Sequence, residues 1–99
     1  MEKFGDIINV KVPVLICFFA DWHGLSEQMN PILREVTVVM GEKAKVIKVD
    51  VDKNKDLTKA LTINGLPTTI IYWNKELVWR EEGVQSTETL LAALQKYAS

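Results

Sequence analysis

Residues 18–31 read FFADWHGLSEQMNP, and the fold turns on how this stretch directs its backbone. Apolar residues run up to Phe19, and Gly24 supplies a turn. Beyond it Leu25, Met29, Ile32, Leu33, Val36 and Met40 recur at helical spacing as far as Gly41. That pattern predicts an amphipathic helix over about 24–40 with Gly41 as its stop. Pro31 falls inside the helix, where it lacks an N–H and its ring meets the carbonyl four residues back. A kink is therefore expected near Glu27–Met29. A strand that runs directly into a helix displays the side chains of the turn between them, here Trp22, His23 and Ser26.

Working outward, residues 13–19 are continuously apolar, where a half-exposed strand would alternate. Such a strand is buried on both faces, which calls for helices above and below it. FGDIIN (4–9) is a short helix with Phe4, Ile7 and Ile8 on one side, broken at Lys11-Val12-Pro13. KAKVIKVDVD (43–52) alternates around Val46, Ile47, Val49 and Val51 as a second strand, and Asn54–Leu61 is a short helix with Leu57, Ala60 and Leu61 inward. PTTIIYW (67–73) and ELVWREE (76–82) are strands joined by Asn74-Lys75. So short a connection makes them antiparallel neighbours, although Lys75 suits the turn less well than glycine. Past Gly83, Ser86 is the N-cap of a last helix with Leu90, Leu91, Leu94 and Tyr97 on its buried side. The order αβαβαββα predicts an α/β protein with one mixed sheet covered on both faces, a single domain over 1–99.

A 99-residue chain buries roughly 60 to 70% of its unfolded surface, enough for one core. With 47% hydrophobic and 25% charged residues and a net charge of −1, nothing draws it to nucleic acid or anionic lipid. Cys17 is the one cysteine, so no intrachain disulfide and no cysteine metal cluster can form. The apolar run VPVLICFFA is too short to span a bilayer and lacks the flanks of a signal peptide. A cytoplasmic protein without a membrane partner is expected. VDVDKNKDL (49–57) has neither the glycine nor the terminal glutamate of a calcium loop, and its charges alternate in sign. It reads as a solvated strand end and helix start.

These elements resemble the thioredoxin family nearly end to end. The family carries Trp-Cys-Gly-Pro-Cys at a helix start with a proline in the helix that follows; here Trp22-His23-Gly24-Leu25-Ser26 and Pro31 stand in those places. A Gly-hydrophobic-Pro-Thr segment with a cis proline corresponds to Gly65-Leu66-Pro67-Thr68, and Gly83 falls where the family keeps a glycine after its last strand. The resemblance implies a thioredoxin fold with a four-stranded sheet, because too few residues precede FGDIIN to supply the family's extra first strand, which would make five. It also implies a groove for an extended peptide or protein partner, built by Trp22, His23, Gly24, Leu25, Leu66, Pro67, Gly83 and Val84.

Departures from the family decide the expected chemistry. His23 and Ser26 replace both redox cysteines, Leu25 replaces the proline between them, and Cys17 takes the place of a buried acid. Lys48 falls where the family often has a lysine near that acid, so Cys17 and Lys48 are expected beneath the site. Thiol–disulfide exchange needs an attacking thiolate and a second thiol to resolve the mixed disulfide, and His23 and Ser26 provide neither. Cys17, among apolar neighbours, reads as a small core residue more than as a reactive thiol. His23 carries an imidazole, a group that can serve in acid–base chemistry or as a ligand. A Ser26–His23 nucleophile pair nevertheless lacks a residue to orient the ring, and His23 with Glu27 makes a poor metal site. Trp73 and Trp79 pack on the hairpin or line a contact surface. No catalytic residue, metal or cofactor is expected. The reading is a redox-inactive thioredoxin-like protein that binds peptide or protein. Its competitors are a thiol–disulfide oxidoreductase with an atypical site and a His23-dependent metal or cofactor protein.

Overall fold

The computed structural model describes residues 3–98. Strand β1 (Val14–Phe19) lies inside the sheet, and its first five residues are buried. On one side it pairs in parallel with β2 (Lys45–Asp50); on the other it pairs antiparallel with β3 (Thr68–Trp73). The hairpin partner β4 (Glu76–Glu82) completes a four-stranded sheet of order β2-β1-β3-β4. The helices are α1 (Phe4–Ile7), α2 (Gly24–Glu27), α3 (Met29–Met40), α4 (Lys55–Ala60) and α5 (Thr87–Gln95).

Alternation along β1 sends Leu15 and Cys17 to one face of the sheet and Val14, Ile16 and Phe18 to the other. The first set packs under Met29, Leu33, Val36 and Met40 of α3 and Leu90, Ala93 and Leu94 of α5. The second packs with Ile70, Tyr72 and Ile63 against Phe4, Ile7 and Leu57. Coverage on both faces is what the unbroken apolar run requires.

The expected long helix is two. Gln28 separates α2 from α3 and donates to Leu25 O at 3.2 Å, while Pro31 has no N–H for the carbonyl of Glu27. The second strand is shorter than its alternating sequence: Gly41–Lys43 form a 3-10 turn, and Val51 and Asp52 lie in the turn that follows Asp50, Val51 keeping one backbone bond to Phe19 O. On α5, Ala93 takes a fully inward place, whereas Leu91 and Tyr97 are half-buried at the margin. Ser86 caps this helix, its Oγ accepting from Thr89 N at 3.1 Å. Trp73 lies opposite Glu76 and Trp79 opposite Ile71, so the two indoles are not cross-strand partners. Among the described residues no helix is long and apolar enough to cross a membrane.

Candidate functional site

The strand register gathers the residues singled out in the sequence. Phe18 of β1 is level with Thr68, which is level with Glu82, and Phe19 is level with Asp50. The turn after β1, the loop before β3 and the loop after β4 therefore leave the sheet at the same end. These carry Trp22, His23, Gly24 and Leu25, then Leu66 and Pro67, then Gly83 and Val84. Gly83 N donates to Pro67 O at 2.8 Å, which ties two of the loops together. The Leu66–Pro67 peptide is cis, and Gly83 adopts φ +88°, a region that favours glycine.

Trp22 stands 69% exposed. Its indole N–H donates to Asp52 Oδ2 at 2.7 Å, so the ring is held in place although water surrounds most of it. Asp52 lies 30 residues along the chain, in the segment read as a solvated strand end. Only the parallel pairing of β1 with β2 reveals its role. Leu25 and Val84 are also exposed apolar side chains, while Leu66 is half-buried and Pro67 buried.

His23 precedes α2 in an extended conformation, and its side chain does not cap the helix. The ring meets Trp22 edge-on, with centroids 5.6 Å apart, and its Nδ1 is buried without a hydrogen-bond partner. Ser26 is buried as well, but its Oγ accepts the Ala20 N–H at 3.3 Å. The hydroxyl thus closes the turn between strand and helix. No base is bonded to it, so the arrangement is not that of an activated nucleophile. No group of three or more His, Cys, Asp or Glu side chains able to hold a metal ion occurs among the described residues.

Beneath the turn Cys17 is fully buried, opposite Lys48 on one side and Thr69 on the other. Burial pushes the thiol up from 9.0 to about 11; the Thr69 hydroxyl and the Lys48 charge pull it down, but more weakly. Lys48 is not itself buried. Its stem leads the ammonium to the rim, where Nζ donates to Asn30 Oδ1 at 2.7 Å and sits 4.4 Å from the centre of the Phe19 ring. The expectation of a lysine under the site is corrected on this point, because a long side chain keeps its charge hydrated wherever it can reach water.

A family model described as Thioredoxin matches residues 1–96. The chain is 35% identical over 85 residues to the Thioredoxin-like protein slr0233 of Synechocystis sp., covering 86% of this chain and 81% of that protein. It is 36% identical over 83 residues to Thioredoxin Y, chloroplastic, of Oryza sativa subsp. japonica. That match takes in 84% of this chain but 49% of the rice protein, so the chain spans about half of that relative's length. Among solved structures, chloroplastic thioredoxin z superposes with a TM-score of 0.80 at 31% identity, over 88% of this chain and 79% of that one. A mutant thioredoxin from Halobacterium salinarum NRC-1 gives 0.85 at 29% identity, over 96% of this chain and 82% of that one.

Proposed function

The chain belongs to the thioredoxin family, and from that membership and its sulfur-free helix start we propose that it docks peptides or proteins without dithiol redox turnover. The observation that carries this reading is the pair His23 and Ser26 at the mouth of the turn, with Cys17, the single sulfhydryl, shut in the core. Reducing a client disulfide requires a thiolate to attack one sulfur, expelling the other as a thiol, and a second thiol to release the mixed disulfide. Imidazole and hydroxyl cannot give up that pair of electrons by forming a reversible bond with each other, as two thiols do in becoming a disulfide. Cys17 does not substitute for them: a thiol held near 11 is ionised at neutral pH in only about one molecule in ten thousand, and burial bars a protein client from it.

What the turn retains is a surface. Trp22, Leu25 and Val84 are large apolar side chains left in water at one end of the sheet. Exposed apolar groups beside loop backbone favour an extended chain that buries them while bonding to main-chain groups. The open space around Gly24 leaves the backbone bare at this point. A solved relative, thioredoxin z, is described in terms of target recognition, which agrees with a docking role.

Restoring sulfur tests the reading. With His23→Cys and Ser26→Cys combined, the scaffold should gain measurable reduction of a protein disulfide in the presence of a dithiol donor, while the parent stays at the uncatalysed rate. Sustained turnover by the parent would overturn the proposal and place it among working oxidoreductases.

A further inference from the structure

Strand β2 ends the sheet order, so among the described residues one of its sides has no partner strand. Its bonds to β1 show which backbone groups that side offers. Lys45 N donates to Pro13 O at 2.9 Å and Val51 N to Phe19 O at 3.0 Å, so the odd-numbered residues aim their backbone at β1. Alternation then turns the N–H and C=O of Val46 and Lys48 outward. The edge closes at Asp50, whose carbonyl accepts from Asn54 Nδ2 at 2.9 Å and Lys53 N at 3.2 Å.

Beside this open edge α3 overhangs a groove of about 520 Å3, lined by Leu33, Arg34, Thr37, Val38, Val46 and Lys48 together with Asn30. Val38 is 81% exposed on an otherwise amphipathic helix. A strand added to β2 would send every second side chain into this space. The charges lining the groove are both cationic, Arg34 and Lys48, and no carboxylate lies among them. Lys48 spends one proton on Asn30 and has two more to offer.

The charge pattern selects the occupant. A second copy of β2 laid antiparallel, with Val46 facing Lys48 of the other copy, would crowd Arg34 and Lys48 of both copies into one space, and like charges there oppose pairing. We propose that this edge and groove accept an extended strand of another protein in which carboxylates alternate with apolar residues. The main-chain groups of Val46 and Lys48 extend the sheet, and alternation turns the carboxylates as one set into the groove, where Arg34 and Lys48 receive them, with the apolar side chains on the opposite face of the sheet. None of these residues belongs to the loops around Trp22 and Pro67, so this surface stands or falls separately from the docking role above.

The probe is a blocked heptapeptide of alternating valine and glutamate, compared with a twin carrying lysine for glutamate, each titrated into the 99-residue chain and followed by amide exchange. The glutamate peptide is expected to slow exchange at Val46 and Lys48 about tenfold or more, and Arg34→Glu to weaken its binding about tenfold, with the lysine twin inactive. Thermal unfolding verifies that the variant folds; should it not, Val38→Glu, at an exposed position of the same groove, is expected to weaken binding of the glutamate peptide likewise, and unchanged binding would count against the proposal. Equal binding of both peptides, shifts centred on Trp22 and Pro67, or a free protein that sediments as a dimer with Val46 and Lys48 already protected would each overturn the proposal.

Discussion

The Cys17 thiol faces the core formed by β1, α3 and α5, and the proton it keeps there has a consequence for stability. Its ordinary value of 9.0 is raised by burial to about 11, so above pH 9 an unfolded chain sheds this proton before the folded one does. The unfolded state then binds fewer protons, and stability falls with rising pH. The contribution is intact below about pH 9 and disappears progressively toward pH 11. Urea midpoints measured across that window should decline more steeply for the wild type than for Cys17→Ala, whatever the variant loses at neutral pH to its cavity. Alkylation of the native protein by iodoacetamide at pH 7 should be negligible and should become rapid only in denaturant. Native labeling at the rate of a small thiol would contradict this picture. At this scale the sequence was informative about residue types and silent about their partners. Cys17 has apolar neighbours in the sequence and is buried in the structure, but that Ser26 Oγ would take the Ala20 N–H, or Trp22 find Asp52, depends on how chain segments meet in space.

Turns and helix breaks illustrate what local chemistry can fix. Asn74 and Lys75 both adopt positive φ, 53° and 68°, as a tight hairpin connection demands. Asparagine tolerates that region, whereas lysine brings a Cβ into conflict with the neighbouring carbonyl. Lys75→Gly should therefore raise the unfolding free energy by about 0.5–1 kcal/mol, with the gain partly offset by the greater freedom of glycine in the unfolded chain. Equilibrium urea unfolding measures it, and a variant less stable than wild type would show that the lysine stem makes a compensating contact. The hairpin, the Ser86 cap and the kink near Pro31 were legible because each rests on residues adjacent in sequence. Element ends were less so. The alternating pattern of KAKVIKVDVD continues past Asp50, yet the strand stops there because the Asp50 carbonyl turns to Asn54 and Lys53 at the start of α4. Likewise Leu91 and Tyr97 fit the apolar stripe of α5 by spacing alone, but α5 turns Leu90, Ala93 and Leu94 into the core and leaves those two at its margin.

For the molecule as a whole, the sheet order determines which parts open first. Strands β1 and β3 each have a partner on both sides, and their residues from Val14 to Phe18 and from Thr68 to Tyr72 are buried, so their amides are released only when the core itself comes apart. Strand β2 is protected on one side alone. Its odd-numbered amides, Ile47 and Val49, are turned to β1, whereas those of Val46 and Lys48 point away from the sheet. Native-state hydrogen exchange should accordingly show the slowest amides in β1 and β3, and in β2 an alternation in which Ile47 and Val49 exchange far more slowly than their immediate neighbours. The sequence could announce four strands and the antiparallel pairing of the hairpin, but not this asymmetry, because continuous and alternating apolar runs reveal which faces are covered and say little about which edges are paired. An alternation in β2 would establish the open edge in solution. Uniformly slow exchange from Lys45 to Asp50 would instead mean that another strand already occupies it.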